Sequence, residues 1–134
     1  MSAVDNSISA FVEATNRNDM ASLAAMLHAD FVDHTPSPGQ SPGQDGFIEK
    51  LKQLRRAFPD FVLIVDDVLI DGDRAAFRWT LTGTNDGPLA GGEPTGTPVR
   101  FQGINIEHVE SDKLIGHWSV HDALALFHQL GRLG

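Results

Sequence analysis

The stretch GHWSVHD, residues 116–122, gathers two imidazoles, a hydroxyl and a carboxylate within seven positions. Enclosure in apolar surroundings raises a carboxylate pKa toward the range an acid/base needs near neutral pH. An Asp122 placed that way could remove an α-proton from an activated diketone. Asp122 also directly precedes ALALFHQL and is a favourable N-cap residue, so helix capping is a second reading of the same side chain. His117 and His121 lie four apart, as two metal ligands on a helix would, but the local pattern is strand and no HExxH glutamate accompanies them. No metal site is expected. A glycine-rich phosphate loop and a GxSxG elbow are both missing, and a Ser-His-Asp triad built on Ser119 has no supporting pattern.

These side chains need elements to hold them. Ile8, Phe11, Val12 and Thr15 repeat at helical spacing, and a second helix is expected over MASLAAMLHADF with Asp19 as its N-cap. TPSPGQSPGQDG, 35–46, reads as a surface loop, with a lid over a pocket as the alternative. FIEKLKQLRRAF, 47–58, carries Phe47, Leu51, Leu54 and Phe58 on one stripe and predicts a surface helix that Pro59-Asp60 ends. From Phe61 the period changes to two. Two strands meet at Asp71-Gly72-Asp73, a long loop (86–98) leads to VRFQGINIEHV, and Ser111-Asp112-Lys113 turns the chain into LIGHWSVH. A four-stranded antiparallel meander follows, then a short helix stopped by Gly131.

Period two sets Gln102, Ile104, Ile106 and His108 on one face, and Phe101, Gly103, Asn105, Glu107 and Val109 on the other. A tight turn at Ser111 would bring His108 across from Ile115 and Ile106 across from His117. Ile115, His117, Ser119 and His121 then extend the first face, whose isoleucines and polar tips suit a cavity for a mostly apolar ligand. Trp118 and Val120 fall on the opposite face, toward helices or a second subunit, and a one-residue slip would exchange every assignment. His108 reads as a donor to a substrate carbonyl or as the partner of an acidic neighbour. His34 reads as a second pocket donor or as a turn histidine held by Asp33, and His117 has the same two kinds of role. Arg78 with Trp79 could clamp an anionic or planar group, although a cross-strand ion pair is the commoner role for such an arginine.

At 134 residues, 41% hydrophobic and 21% charged, the chain has the composition of one globular domain, 1–134. Its formal charge of -8 is the wrong sign for nucleic acid or an anionic membrane surface. The absence of cysteine fits a reducing compartment. With no basic leader and no run of about 18 apolar residues, a cytoplasmic protein is expected.

The ordered motifs DHTP (33–36), AFPDF (57–61), DGDRAAFRWTLTGT (71–84), PTGTPVRFQGINI (94–106) and GHWSVHDALALFHQLG (116–131) resemble those of the SnoaL-like polyketide cyclases, a branch of the NTF2-like superfamily. The resemblance covers nearly everything after Phe31. It departs at Gly-Thr-Asn (83–85), where the family often has Gly-Thr-His, and at Gly116, where an acidic residue is common. The resemblance implies an α+β cone, N-terminal helices packed on a strongly curved antiparallel sheet. It further implies a homodimer that holds a small hydrophobic molecule without cofactor or metal. Its best-known members close a polyketide ring by intramolecular aldol condensation, with an aspartate near the end of the last strand as acid/base and a histidine nearby.

The expected site is accordingly Asp122 as proton shuttle, with His108 and His34 as electrophilic partners. His117, Gln102, Ile104, Ile106, Arg78 and Trp79 are expected to hold the substrate. Isomerisation or hydrolysis in the same cavity competes with cyclisation, because fold does not choose between them. A non-catalytic ligand-binding or dimerisation module is the reading from another class.

Overall fold

In the computed structural model, which describes residues 2–132, helix α1 (Ala3–Asn16) buries Val4, Ile8, Phe11 and Val12. The Ser2 side chain caps it at the Asp5 amide. Asn18 turns the chain at φ 56°, and Asp19 caps α2 (Met20–Ala25) by accepting from the Ser22 amide, as its sequence position predicts.

The second helix ends earlier than its apolar spacing suggests. LHADFVD is strand β1 (Leu27–Asp33), with Leu27 and Phe31 buried and the residues between them largely open. Its pairing slips between Leu27 and Val32, so the buried positions fall four apart and imitate a helix. Helix α3 (Gly43–Ala57) begins inside the second SPGQ repeat, which shortens the expected loop. Its apolar stripe, with Phe47 and Ala57 buried, packs toward the sheet.

Strands β2 (Val62–Asp71) and β3 (Arg74–Thr84) form the expected hairpin, whose two-residue turn places Gly72 at φ 61°. Strands β4 (Pro98–Glu110) and β5 (Lys113–His121) form the second, and α4 (Ala123–Gln129) closes the fold. Gly131 takes φ 69° just past that helix, as a C-terminal stop requires. The strand order is β1-β5-β4-β3-β2. The sheet is therefore mixed: β1 lies parallel to β5 at one edge of the antiparallel meander. Register shifts between Val65 and Asp67 and between His108 and Val109 mark bulges, which bend and twist strands. Helices and sheet share one core, in which Phe47, Phe58, Phe77 and Leu81 are wholly enclosed. Among the described residues no helix is long and apolar enough to cross a membrane.

Candidate active site

Helices and sheet enclose a cavity of about 570 Å³, within the range of small-molecule sites. Its body is apolar and aromatic. Phe11 of α1 and Phe47 of α3 form one wall, Trp79 and Phe101 the other, and Leu126 of α4 covers an end. Phe101 meets Trp79 edge-on at 5.8 Å between centroids.

The polar side of the cavity is set by the β4–β5 register. Ser111 and Asp112, at φ 52° and 61°, form a tight two-residue turn that pairs Glu110 with Lys113 and Val109 with Leu114. An extra residue, Ile115, then enters β5. Beyond it His108 pairs with Gly116, Glu107 with His117, Asn105 with Ser119 and Gly103 with His121. The bulge shifts the register by one residue relative to a regular hairpin and brings the alternate face of β4 to the cavity. Along β4, burial alternates strictly in that sense from Val99 to Glu107.

Glu107 and His117 are buried side by side, at 0% and 4% exposure. The His117 Nδ1 lies 2.9 Å from Glu107 Oε2 and is also bonded to Oε1. The Phe47 ring packs on the imidazole at 4.7 Å. Burial pushes the Glu107 pKa up, against the attraction and hydrogen bond of His117. With the carboxylate ionised, Nδ1 donates to it and Nε2 carries the lone pair. His117 lines the cavity, and among the described residues no hydrogen bond engages that Nε2.

Next to this pair, Asn105 Oδ1 accepts the Trp79 Nε1–H at 2.9 Å, which orients the amide and leaves its Nδ2 hydrogens for a ligand. Gly103 makes the contact possible, since a Cβ there would stand 2.2 Å from Trp79 Cζ2. His121 reaches the cavity at its rim. Burial first, then the charge of Lys50, lower its pKa, with Asp122 opposing, so His121 is neutral at pH 7. Ser119 shares this face, its amide donating to Thr35 Oγ1 at 2.9 Å.

The structure thus brings His117 and Trp79, two of the expected site residues, into the cavity and places the others elsewhere. Asp122 is exposed, its Oδ1 accepting the Ala125 amide at 2.9 Å, so it is the cap of α4 rather than an enclosed acid. His108 bonds Asp73 at 2.9 Å on the outer face of the sheet. His34 is exposed and stacks on Trp118 at 4.1 Å. Gln102, Ile104 and Ile106 also face outward, because the bulge at Ile115 reverses the face assigned to β4. Arg78 ion-pairs across strands with Asp67 at 2.7 Å. Asn85, the departure in Gly-Thr-Asn, is buried and fully engaged with the carbonyls of Ala57 and Gly87 and with Thr95, where it anchors the loop beside the cavity mouth. Glu107 and Asn105 are the residues the expected set lacked, whereas His121 was placed on the cavity face without a role. An acid at the centre of an alternating strand, with Phe101 and Val109 on its own face, was the available signal for Glu107. Among the described residues no group of three or more His, Asp or Glu side chains is arranged to hold a metal.

The family model for SnoaL-like polyketide cyclases matches residues 6–130. No curated protein matches the sequence. Among solved structures, TsrD from Streptomyces laurentii is 29% identical with a TM-score of 0.88, over 98% of this chain and 96% of that one. IdmH from Streptomyces antibioticus, a candidate polyketide cyclase, is 28% identical with a TM-score of 0.83, over 96% and 98%. AclR from Streptomyces galilaeus, a candidate hydroxylase, is 26% identical with a TM-score of 0.86, over 97% and 82%.

Proposed function

The chain belongs to the SnoaL-like polyketide cyclase family, and on that premise we propose that it is an acid/base enzyme using the Glu107–His117 pair on a hydrophobic, carbonyl-bearing small molecule. Aldol cyclisation is the specific reaction. His117 Nε2 takes an α-proton from the bound ligand, and Glu107 holds the ring and stabilises the imidazolium that forms. The Asn105 amide donates to the enolate oxygen as charge develops there. The enolate carbon bonds to a second carbonyl carbon of the same molecule, and the resulting alkoxide recovers the proton from Nε2. Atoms and electrons balance without a cofactor.

The observation that carries this reading is a carboxylate with no exposure, spent on orienting one cavity-lining imidazole. Burying a charged group costs several kcal/mol before its partner offsets the loss, and a cavity that only held an apolar ligand would not need it. Deprotonation followed by isomerisation would use the same groups, and the two outcomes separate by product.

The test offers a linear 1,5-diketone to the purified protein in deuterium oxide, with no added metal or nucleotide, and follows α-deuteration and ring closure by NMR. Both should occur in the wild type and be lost in His117→Gln, with ligand binding kept. Deuteration that persists in the variant would remove His117 from the mechanism.

The same reading includes a second copy of the chain over the outer face of the sheet. Ile104, Ile106 and Val120 are exposed there; of the neighbouring charges Arg78 pairs with Asp66 and Asp67, His108 with Asp73, and Arg74 lies over the Trp118 ring. An exposed apolar centre of this kind suits a copy of itself.

A further inference from the structure

The charge of the cavity opposes the charge of the chain. Eighteen acidic residues outnumber ten basic ones in the sequence, yet among the described residues no Asp or Glu lines the cavity. Its charged lining groups are Lys50 and Arg56 of α3, and the neutral His121 imidazole from the end of β5 joins them on the lining as a hydrogen-bond donor. The acids nearest to them are turned away or lie behind the lining, where Glu107 is wholly buried and its charge is spent on His117. Glu49 pairs with Arg56 at 2.6 Å on the exposed side of the helix, and Asp122 caps α4. Asp33 sits behind Lys50 with only 3% of its side chain exposed, whereas the lysine side chain is 27% exposed. The cavity therefore meets the positive end of that pair.

Lys50 is also fixed. Its Nζ donates to Asp33 Oδ2 at 2.9 Å and to the Thr35 carbonyl at 3.1 Å, which leaves one of its three hydrogens uncommitted. Asp33 is held in turn by the Gln40 side chain and the Thr35 amide. A lysine restrained in this way has lost its side-chain freedom in the folded state, so it can hold an anion with little further ordering. A surface lysine serving only solubility needs no such support.

From this arrangement we infer that the ligand is an amphiphilic acid whose ionised carboxylate is bound at the cavity mouth by Lys50 and His121, with its apolar body among the aromatic side chains. Arg56 adds longer-range attraction and helps to offset the field of a net-acidic surface. The inference deepens the proposed function and rests on it for the identity of the reaction chamber. It names the substrate class as a free keto acid rather than an ester or a carrier-bound thioester. The reaction that supplies the substrate must then release a carboxylate, as thioester hydrolysis does.

Two flat probes of nearly equal shape test it, 2-naphthoate and the neutral 2-naphthamide, titrated into the full chain and followed by calorimetry. Naphthoate should bind about tenfold more tightly or better, as a charge-assisted contact implies, and the preference should shrink as salt is raised. Removing Lys50 alone strands Asp33, so the informative variant is Lys50→Met combined with Asp33→Asn. It should bring the two affinities within about threefold of each other, and Arg56→Gln should produce a smaller loss. Equal binding by the wild type, preference for the amide, or binding of neither probe overturns the inference, as does a preference that survives the double substitution. Neither probe has an enolisable hydrogen, so the result does not depend on catalysis by His117. A failed charge preference leaves the acid/base reading standing, and a failed deuteration assay leaves the charge preference standing.

Discussion

Glu107 stands directly opposite His117 across the β4–β5 ladder because Ile115 occupies a bulge between the hairpin turn and the pair. With Ile115 paired in the ladder instead of bulged out of it, Ile106 would stand against His117 and the imidazole would lose its carboxylate. The bulge is thus part of the site even though Ile115 is not among the cavity-lining residues.

Glu107→Gln separates the catalytic use of this pair from its structural use. Glutamine keeps an acceptor for Nδ1 and removes the buried charge. Burial raises the Glu107 pKa above 4.5, so between 4.5 and the raised value the folded chain holds a proton that the unfolded chain has released. Stability contributed by this group is complete below 4.5 and is lost as pH rises through that window. The variant lacks that dependence. Its melting temperature should match or exceed that of the wild type, with the difference widening upward from pH 4.5, while turnover falls by about 10²-fold or more. A variant that loses stability at pH 7 in step with its activity would make the pair structural.

The period-two pattern of β4 was legible in the sequence, and so was the tight turn after Glu110. What pattern could not supply was the single extra residue in β5, because a bulge is fixed by three-dimensional packing and leaves no period of its own. One inserted position moved Gln102, Ile104, Ile106 and His108 out of the site and Asn105 and Glu107 into it. Of the β5 face read as Ile115, His117, Ser119 and His121, the last three line the cavity and Ile115 sits in the bulge. Strand β1 was hidden for a related reason: an irregular parallel edge buries Leu27 and Phe31 at helical spacing. The expectation for Asp122 divided between acid and cap, and its exposure and its bond to the Ala125 amide favour the cap.

Asp122→Ala should therefore cost stability and spare chemistry. Loss of an N-cap side chain costs about 1 kcal/mol, which for a domain of this size lowers the melting temperature by a few degrees. Turnover by the folded fraction should stay within about twofold of the wild type. A fall of a hundredfold with an unchanged melting temperature would restore Asp122 to the catalytic centre.

Gly103→Ala probes the second polar group through its support. The new methyl would overlap the Trp79 ring, and overpacking a well-filled core costs about 1–3 kcal/mol. As the indole moves, its Nε1–H leaves Asn105 and the amide loses its fixed orientation. Turnover should drop more than KM changes, because the Asn105 contact is made to developing charge on the enolate. Trp79→Phe, which keeps most of the ring and removes the donor, should reproduce the kinetic effect with a smaller loss of stability.

A final prediction concerns the outer face of the sheet. Val120 is 67% exposed and Ile104, its partner across the ladder, 47% exposed, so both can accept a charge without disturbing the core. In an isologous interface each substitution is met twice, once from each copy, which makes one carboxylate at Ile104 or Val120 unusually disruptive. Light scattering should give the wild type twice the 14.5 kDa mass of one chain. Ile104→Asp and Val120→Glu should return it to the mass of a single chain. Substitution of an exposed residue on α3, such as Lys52→Glu, should leave the dimer intact, because α3 packs on the opposite side of the sheet. A wild type that runs as a monomer at micromolar concentration would refute the second copy, while the cavity and its Glu107–His117 pair, complete within one chain, would keep their assigned chemistry.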